Sequence, residues 1–278
     1  MPKKSLLQKM MSKMPSSETD LERAERYAAE EAALPTIGLE EFRKTSRRRF
    51  LTGVGAVSAG IFGWRWVQTQ DRRDNVPSVL RTGLERNEQV WSALFRDGHS
   101  APTFDRNESS VLRVNGRHGV REEVDLATWE MQVLDSGGDL LATHHMDDIR
   151  SLPKYEMTVE HKCIEGWSHI VTWGGARFSD FAEMYVDQVE ANDFVSLITP
   201  DGDYYVGMDR DSMLHHQTLL AYELEGEPLS SLHGAPLRLA TPLKYGIKQI
   251  KRIGTIQFTN EQPGDYWGDR GYDWYSGL

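Results

Sequence analysis

The chain is predicted to be an α+β protein, mixed but mainly β, on three observations. Apolar runs with period-two alternation outnumber those with helical spacing. The two kinds do not alternate regularly along the chain, which disfavours a doubly wound parallel sheet. Turn residues Pro200-Asp201-Gly202 lie between two apolar runs, as in a hairpin.

Residues 1–45 are rich in Ala, Glu, Lys and Ser, with a run of Met, and read as a flexible extension able to form only a frayed helix. Ser46-Arg47-Arg48-Arg49-Phe50-Leu51 then opens into a charge-free stretch from Phe50 to Trp64. Basic group, small-residue apolar core and polar Gln68 to Asn75 follow the order of a twin-arginine export signal, so residues 46–75 form a signal or anchor with its linker. That address implies the export machinery as a partner and the periplasm as destination. The core is shorter than the roughly 20 residues that span a bilayer. It is also broken by Gly53, Gly55, Gly60 and Gly63. No small-x-small pair lies comfortably beyond it, so an uncleaved inner-membrane anchor over residues 50–67 stays open beside cleavage.

Residues 76–278 suit one globular domain. Ser110 to Val114 and Thr128 to Leu134 read as strands, and His145 to Ser151 as a short helix stopped by Pro153. Tyr155 to Lys162 alternates as a strand and delivers Cys163 to its end. Phe178, Phe181, Met184, Tyr185 and Val189 share one helical face. Phe194 to Ile198 and Tyr204 to Gly207 form the hairpin arms, and Leu219 to Leu224, Pro236 to Ala240 and Lys248 to Phe258 supply further strand. A net charge of −10 argues against a nucleic-acid surface, which relies on clustered Lys and Arg. The single cysteine excludes an internal disulfide, and a lone thiol in an oxidising compartment is a liability unless it is buried or committed to a ligand.

Around that cysteine the segment Glu160-His161-Lys162-Cys163-Ile164-Glu165-Gly166-Trp167-Ser168, followed by Trp173-Gly174-Gly175, is joined later by His233-Gly234-Ala235-Pro236-Leu237-Arg238-Leu239 and Pro242-Leu243-Lys244-Tyr245-Gly246-Ile247-Lys248-Gln249-Ile250-Lys251. In sequence, order and spacing these resemble the molybdopterin-binding domain of the sulfite oxidase superfamily, in particular the bacterial branch that contains an exported methionine-sulfoxide reductase catalytic subunit. The aromatic C-terminal stretch from Gly264 to Tyr275 is similar to endings in the same group.

The resemblance implies a sulfite-oxidase-type fold and a molybdenum-molybdopterin cofactor. It makes Cys163 the catalytic metal ligand, a role that suits a soft thiolate. It places Asn115, His118, Gly119, Thr199, His233, Arg238, Gln249, Ile250 and Lys251 around the pterin and its phosphate. Arg238 can fork onto phosphate, and backbone N–H groups from Gln249 to Lys251 can add donors. Where the reductase branch carries Asn-x-x-Tyr-Glu, this chain has Asn115-Gly116-Arg117-His118-Gly119. His161, Lys162 and His169 are candidates for the surroundings of the metal or its access funnel. Ile164, Glu165, Gly166 and Trp167 after the cysteine do not offer the cationic pocket that sulfite needs, whereas Trp167, Trp173 and Tyr245 would line a pocket for a neutral sulfoxide or similar small oxo acceptor. Reduction by oxygen-atom transfer is the favoured expectation. The alternatives are sulfite-oxidase-like oxidation of an oxo-accepting donor, or a non-catalytic cofactor or electron-relay module. No Cys-x-x-Cys-His haem signature is present, so electrons are expected from a membrane haem-containing redox partner.

Overall fold

The computed structural model describes residues 39–94, 99–121 and 123–278, in two compact units, Met1–Trp66 and Val67–Leu278. In the first, the described residues belong to one helix, α1 (Leu39–Gln68). Its apolar side chains Phe50, Leu51, Val54, Val57, Ile61 and Phe62 are all exposed, and its four glycines from Gly53 to Gly63 have open space where a Cβ would stand. Among the described residues no helix is long and apolar enough to cross a membrane. Arg47 to Arg49, expected from the sequence to belong to an export signal, are exposed on this helix. The extension before Leu39 lies outside the described residues.

The second unit opens with a ribbon of β1 (Arg72–Arg73) and β2 (Val76–Pro77), then α2 (Ser78–Leu94). That helix is tied to the C-terminal segment: Arg81 donates to the carbonyls of Gly268 and Tyr272, and Asn87 to the Asp273 carboxylate. The mixed α+β body that follows is mainly sheet. Its elements are β3 (Met131–Leu134), β4 (Leu140–His144), α3 (Met146–Arg150), β5 (Lys154–Lys162), β6 (Ser168–Arg177), α4 (Phe178–Ala182), α5 (Val186–Ala191), β7 (Phe194–Ile198), β8 (Tyr205–Asp209), α6 (Arg210–Leu214), β9 (Leu219–Leu224), β10 (Glu227–Pro228), β11 (Arg238–Ala240) and β12 (Thr255–Thr259). One sheet runs β10-β9-β6-β5, with β11 also on β9, all antiparallel. The other runs β4-β3-β12-β7-β8, where only the β3–β12 pair is parallel.

Alternation decides which side chains enter the core. Ile256 and Phe258 of β12, Met131 and Val133 of β3, and Val195 and Leu197 of β7 join Phe178, Phe181, Leu220 and Leu239 in one buried cluster. Burial of this kind stabilises by roughly 1.5–3 kcal/mol per large apolar side chain. A second cluster centres on Val159, Val171, Trp173 and Ala221. Strand β6 lies against β9 so closely at its bulge that a Cβ on Gly175 would stand 2.2 Å from the Leu220 carbonyl oxygen.

The expected strand over Ser110 to Val114 is instead irregular: Ser110 N–H donates to Ile170 O, Val111 faces solvent, and no ladder continues. The expected helical face from Phe178 to Val189 is split, with a 3₁₀ turn at Glu183–Tyr185 between α4 and α5. The expected strand from Lys248 to Phe258 is formed only from Thr255, because a 3₁₀ turn ends at Lys248, Gln249 and Ile250 continue in tight turns to Gly246 O and Lys248 O, and Arg252 adopts φ 53°.

Candidate active site

Every second residue of β5 is buried toward its end, and the same alternation carries Val159, His161 and Cys163 to one face. The chain then turns at once. Cys163 N–H donates to Trp167 O and Gly166 N–H to Cys163 O, with Gly166 at φ 89°, a conformation that favours glycine, before β6 begins. The turn holds the thiol, 7 % exposed, in a cavity of about 230 Å³.

Around the sulfur the polar contacts form a short chain. Asn115 Nδ2 lies 3.7 Å from Cys163 Sγ and 3.3 Å from Glu165 Oε2, and Trp167 Nε1 donates to that same carboxylate oxygen at 3.0 Å. Burial pushes the thiol above its ordinary pKa, opposed by the Glu165 backbone N–H and the Asn115 amide. The hydrogen bonds from Trp167 and Asn115 hold the Glu165 carboxyl below the usual carboxylate range. An ionised carboxylate therefore stands at the mouth of the cavity.

Three cations line the same cavity without an acidic partner among the described ion pairs: the exposed Arg113, which lies over the Trp167 ring at 5.4 Å, and the deeper Arg238 and Lys251. Arg238, from β11, is 2 % exposed, lies over the Trp173 ring at 4.6 Å and donates to the carbonyls of His233 and Gln249 at 3.0 Å each. Burial pushes its guanidinium below the ordinary arginine value. Lys251 Nζ reaches the carbonyls of Asn115 and Gly116 at 2.8 and 3.0 Å, and burial followed by the Arg238 charge pushes it down to about 8. A buried cation satisfied only by carbonyls gains from a nearby anion.

Three more side chains complete the polar wall. His233 Nε2 lies 3.2 Å from Leu112 O and its Nδ1 2.9 Å from Ser230 Oγ, so Nε2–H donates and Nδ1 accepts. Gln249 is buried and meets His161 Nδ1 at 3.1 Å. Burial, then the Arg238 charge, pushes the His161 imidazole down to about 3, which leaves it neutral. His118 Nδ1 pairs with Asp203 at 3.1 Å while its ring packs on Tyr266 at 4.7 Å.

The structure thus brings Asn115, His118, Cys163, His233, Arg238, Gln249 and Lys251 to one cavity. Three other predicted residues do not line it. Gly119, at φ 70°, approaches Thr199 so closely that a Cβ would stand 2.2 Å from Thr199 Cγ2. Thr199 itself is buried and bonds within its turn, to Asp201 at 2.6 Å and to the Tyr204 backbone. The Ile250 side chain belongs to the apolar core. Trp167 lines the cavity as expected, whereas Trp173 lies beneath Arg238 and Tyr245 is not part of the wall. Lys162 and His169 are likewise outside it. The sequence reading missed Tyr204, Trp267 and Tyr272, which form an aromatic side of the cavity. The aromatic repeats Tyr266-Trp267 and Tyr272 were the available signal for two of them.

Comparison with known proteins agrees with this geometry. A family model described as the oxidoreductase molybdopterin binding domain matches residues 118–267. A putative protein-methionine-sulfoxide reductase subunit, YedZ1 of Azospira oryzae, is 34 % identical over 212 residues, covering 73 % of this chain and 78 % of its own length. The protein-methionine-sulfoxide reductase catalytic subunit MsrP of Campylobacter jejuni is 37 % identical over 141 residues, 45 % of this chain and 47 % of that one, so the match spans about half of that relative. An uncharacterized oxidoreductase of Bacillus subtilis, YuiH, is 35 % identical over 153 residues, 53 % of this chain and 74 % of its own.

Proposed function

This chain belongs to the molybdopterin-binding oxidoreductases of the sulfite oxidase superfamily, and we propose that it reduces a sulfoxide by oxygen-atom transfer in the cavity around Cys163. The observation that carries the choice of substrate is the Glu165 carboxylate beside the thiol, kept ionised by Trp167 and Asn115. A dianion such as sulfite would meet that charge at close range, offset only by the exposed Arg113 over the Trp167 ring, while a neutral sulfoxide would not. The names of the reductase relatives point the same way.

The residues present fit the cofactor of the family. One soft thiolate donor, the buried Arg238 and half-buried Lys251 lacking a carboxylate, and a set of fixed amide and imidazole groups match a metal dithiolene that carries a pterin and a phosphate. Cys163 would hold the metal and Arg238 and Lys251 the phosphate, while Gln249 and His233, whose polar atoms are engaged within the protein, would hold the wall around them. When bound, the cofactor supplies the redox-active metal at which the substrate gives up its oxygen. The chain does the rest. Asn115 supports the thiolate with an amide donor, Trp167 and Ile164 give a sulfoxide's alkyl groups an apolar wall, and Glu165 repels competing anions. Releasing the oxygen as water consumes two electrons and two protons, so an external donor is required. We assign that role to a membrane haem protein.

Exposed Ile164 on the cavity wall suits a sulfoxide presented on a polypeptide, as in the relatives' names. Assaying the purified holoprotein with a reduced artificial donor should show turnover with free and peptide-borne methionine sulfoxide and little with N-oxides. Sulfite oxidation without sulfoxide reduction would overturn the proposal.

Export places this chemistry in the periplasm, with Arg47 and Arg48 at the head of the apolar run in α1 as the signal. Arg47→Lys with Arg48→Lys should retain the protein in the cytoplasm, because the machinery reads the arginine pair and not charge alone. Cell fractionation showing undiminished periplasmic delivery of the double variant, and of a triple variant that also carries Arg49→Lys, would contradict this.

A further inference from the structure

His161 sits two residues before Cys163 on the same buried face of β5, and its ring lines the same cavity. Its hydrogen-bond polarity follows from Gln249. The Gln249 Nε2 group donates to two backbone carbonyls, Thr241 O at 2.8 Å and Lys244 O at 3.2 Å. Those carbonyls accept only, so the amide is oriented with Oε1 toward His161 Nδ1, 3.1 Å away. Oε1 can only accept, so Nδ1 carries the proton. The ring shares its cavity with the Arg238 and Lys251 cations, beside which a second ring proton would add another positive charge. The single proton therefore sits on Nδ1, and Nε2 is a bare lone pair.

That lone pair has no protein donor among the described residues. Its close neighbour is Gly246, where a Cβ would lie 2.9 Å from Nε2; the absent side chain leaves the nitrogen room beside the cavity that both residues line. The ring is fixed on its flanks by Trp167 and Trp173, each with its centroid 6.2 Å away. The cations Arg238 and Lys251 and the Asn115 amide, all on the same cavity, are donors. His161 is the deep acceptor facing them, whereas Glu165 stands at the rim.

We infer that His161 is a cofactor-binding residue whose Nε2 accepts a hydrogen bond from an N–H on the pterin edge of the ligand, with Gln249 as the positioning residue that fixes the tautomer. This rests on the proposed cofactor reading. A sulfoxide carries no N–H at its reacting centre and has no use for such an acceptor, whereas a reduced pterin is bordered by ring and amino N–H groups.

Three variants and one spectrum test it. His161→Asn keeps an N–H for Gln249 but does not reach the position of Nε2; His161→Gln restores an acceptor near that position; His161→Phe keeps the ring and removes both polar groups. The pterin retained per chain would be followed over time in pterin-free buffer, alongside the melting temperature. The expected result is about tenfold faster loss of pterin from the Asn and Phe variants, with Gln restoring most of the wild-type retention. In ¹⁵N spectra of the wild-type protein, Nδ1 should be protonated and Nε2 unprotonated, and the Nε2 resonance should move on cofactor loading. A protonated Nε2, equal retention in all variants, or unchanged retention with a raised KM for sulfoxide would overturn the assignment. Wild-type protein that holds no pterin would instead overturn the cofactor reading beneath it.

Discussion

Cys163→Ser is expected to abolish turnover while leaving the fold and much of the cofactor in place. The side chain is buried but small, and its sulfur meets one weak donor, the Asn115 amide at 3.7 Å, so the exchange should cost the fold only about 1 kcal/mol. The chemistry is another matter. A hydroxyl is a harder and far less acidic donor than a thiol, and at this metal it does not replace a thiolate. The loss should exceed the roughly 10–100-fold typical of removing a hydrogen-bond partner of a metal ligand, which is the effect expected for Asn115→Ala. Steady-state sulfoxide reduction, with near-ultraviolet circular dichroism to confirm the fold, checks both. Wild-type turnover by the serine variant at normal metal content would remove Cys163 from the metal.

Arg238→Ala should yield soluble protein that is largely poor in molybdenum. Removing one charge-assisted contact to a phosphate costs about 1.5–3 kcal/mol, or roughly 10–150-fold in cofactor binding, and Arg238→Lys should recover only part of it because the fork is lost. The cofactor-free protein offers an independent test. The folded-state pKa values of Arg238 and Lys251 are lowered by burial below their unfolded values, that of Lys251 to about 8. The Arg238 guanidinium stays charged and opposes folding at every pH, whereas the opposition from Lys251 is complete below about 8 and is relieved as pH rises through that value toward its unfolded one. Inorganic phosphate should accordingly raise the Tm of cofactor-free protein at pH 7 and do so less above pH 9. The increment should be nearly absent in Arg238→Ala. Full molybdenum occupancy of that variant with altered substrate preference would move Arg238 from the cofactor to the substrate.

The cysteine was legible because local signals coincided: a period-two strand, one thiol at its end and a turn containing Gly166. The hairpin at Pro200-Asp201-Gly202 was legible for the same reason, since its residues carry their own geometry. The segment from Lys248 to Gly254 was not. Ile250 and Ile253 imitate a strand, but Lys248 is buried against Asp265 at 2.6 Å and Gly207 O at 2.8 Å, and Arg252 donates to Ala235 O. Such partners lie far along the chain, and buried lysines read as surface residues in sequence. Gly119 and Thr199 illustrate a related limit. Gly119 packs directly on the Thr199 side chain, and residue types alone do not separate that role from contact with a ligand. Tyr204 was assigned to a strand, which hid its place in the cavity wall.

The metal–sulfur bond itself is the most direct test. Molybdenum-edge X-ray absorption of the wild-type holoprotein and of Cys163→Ser should differ by one sulfur neighbour at the metal, with the remaining sulfur shell intact because Arg238 and Lys251 still hold the cofactor. An identical sulfur shell in the two proteins would contradict the assignment of Cys163 as the ligand and, with it, the reading of the cavity as the active site.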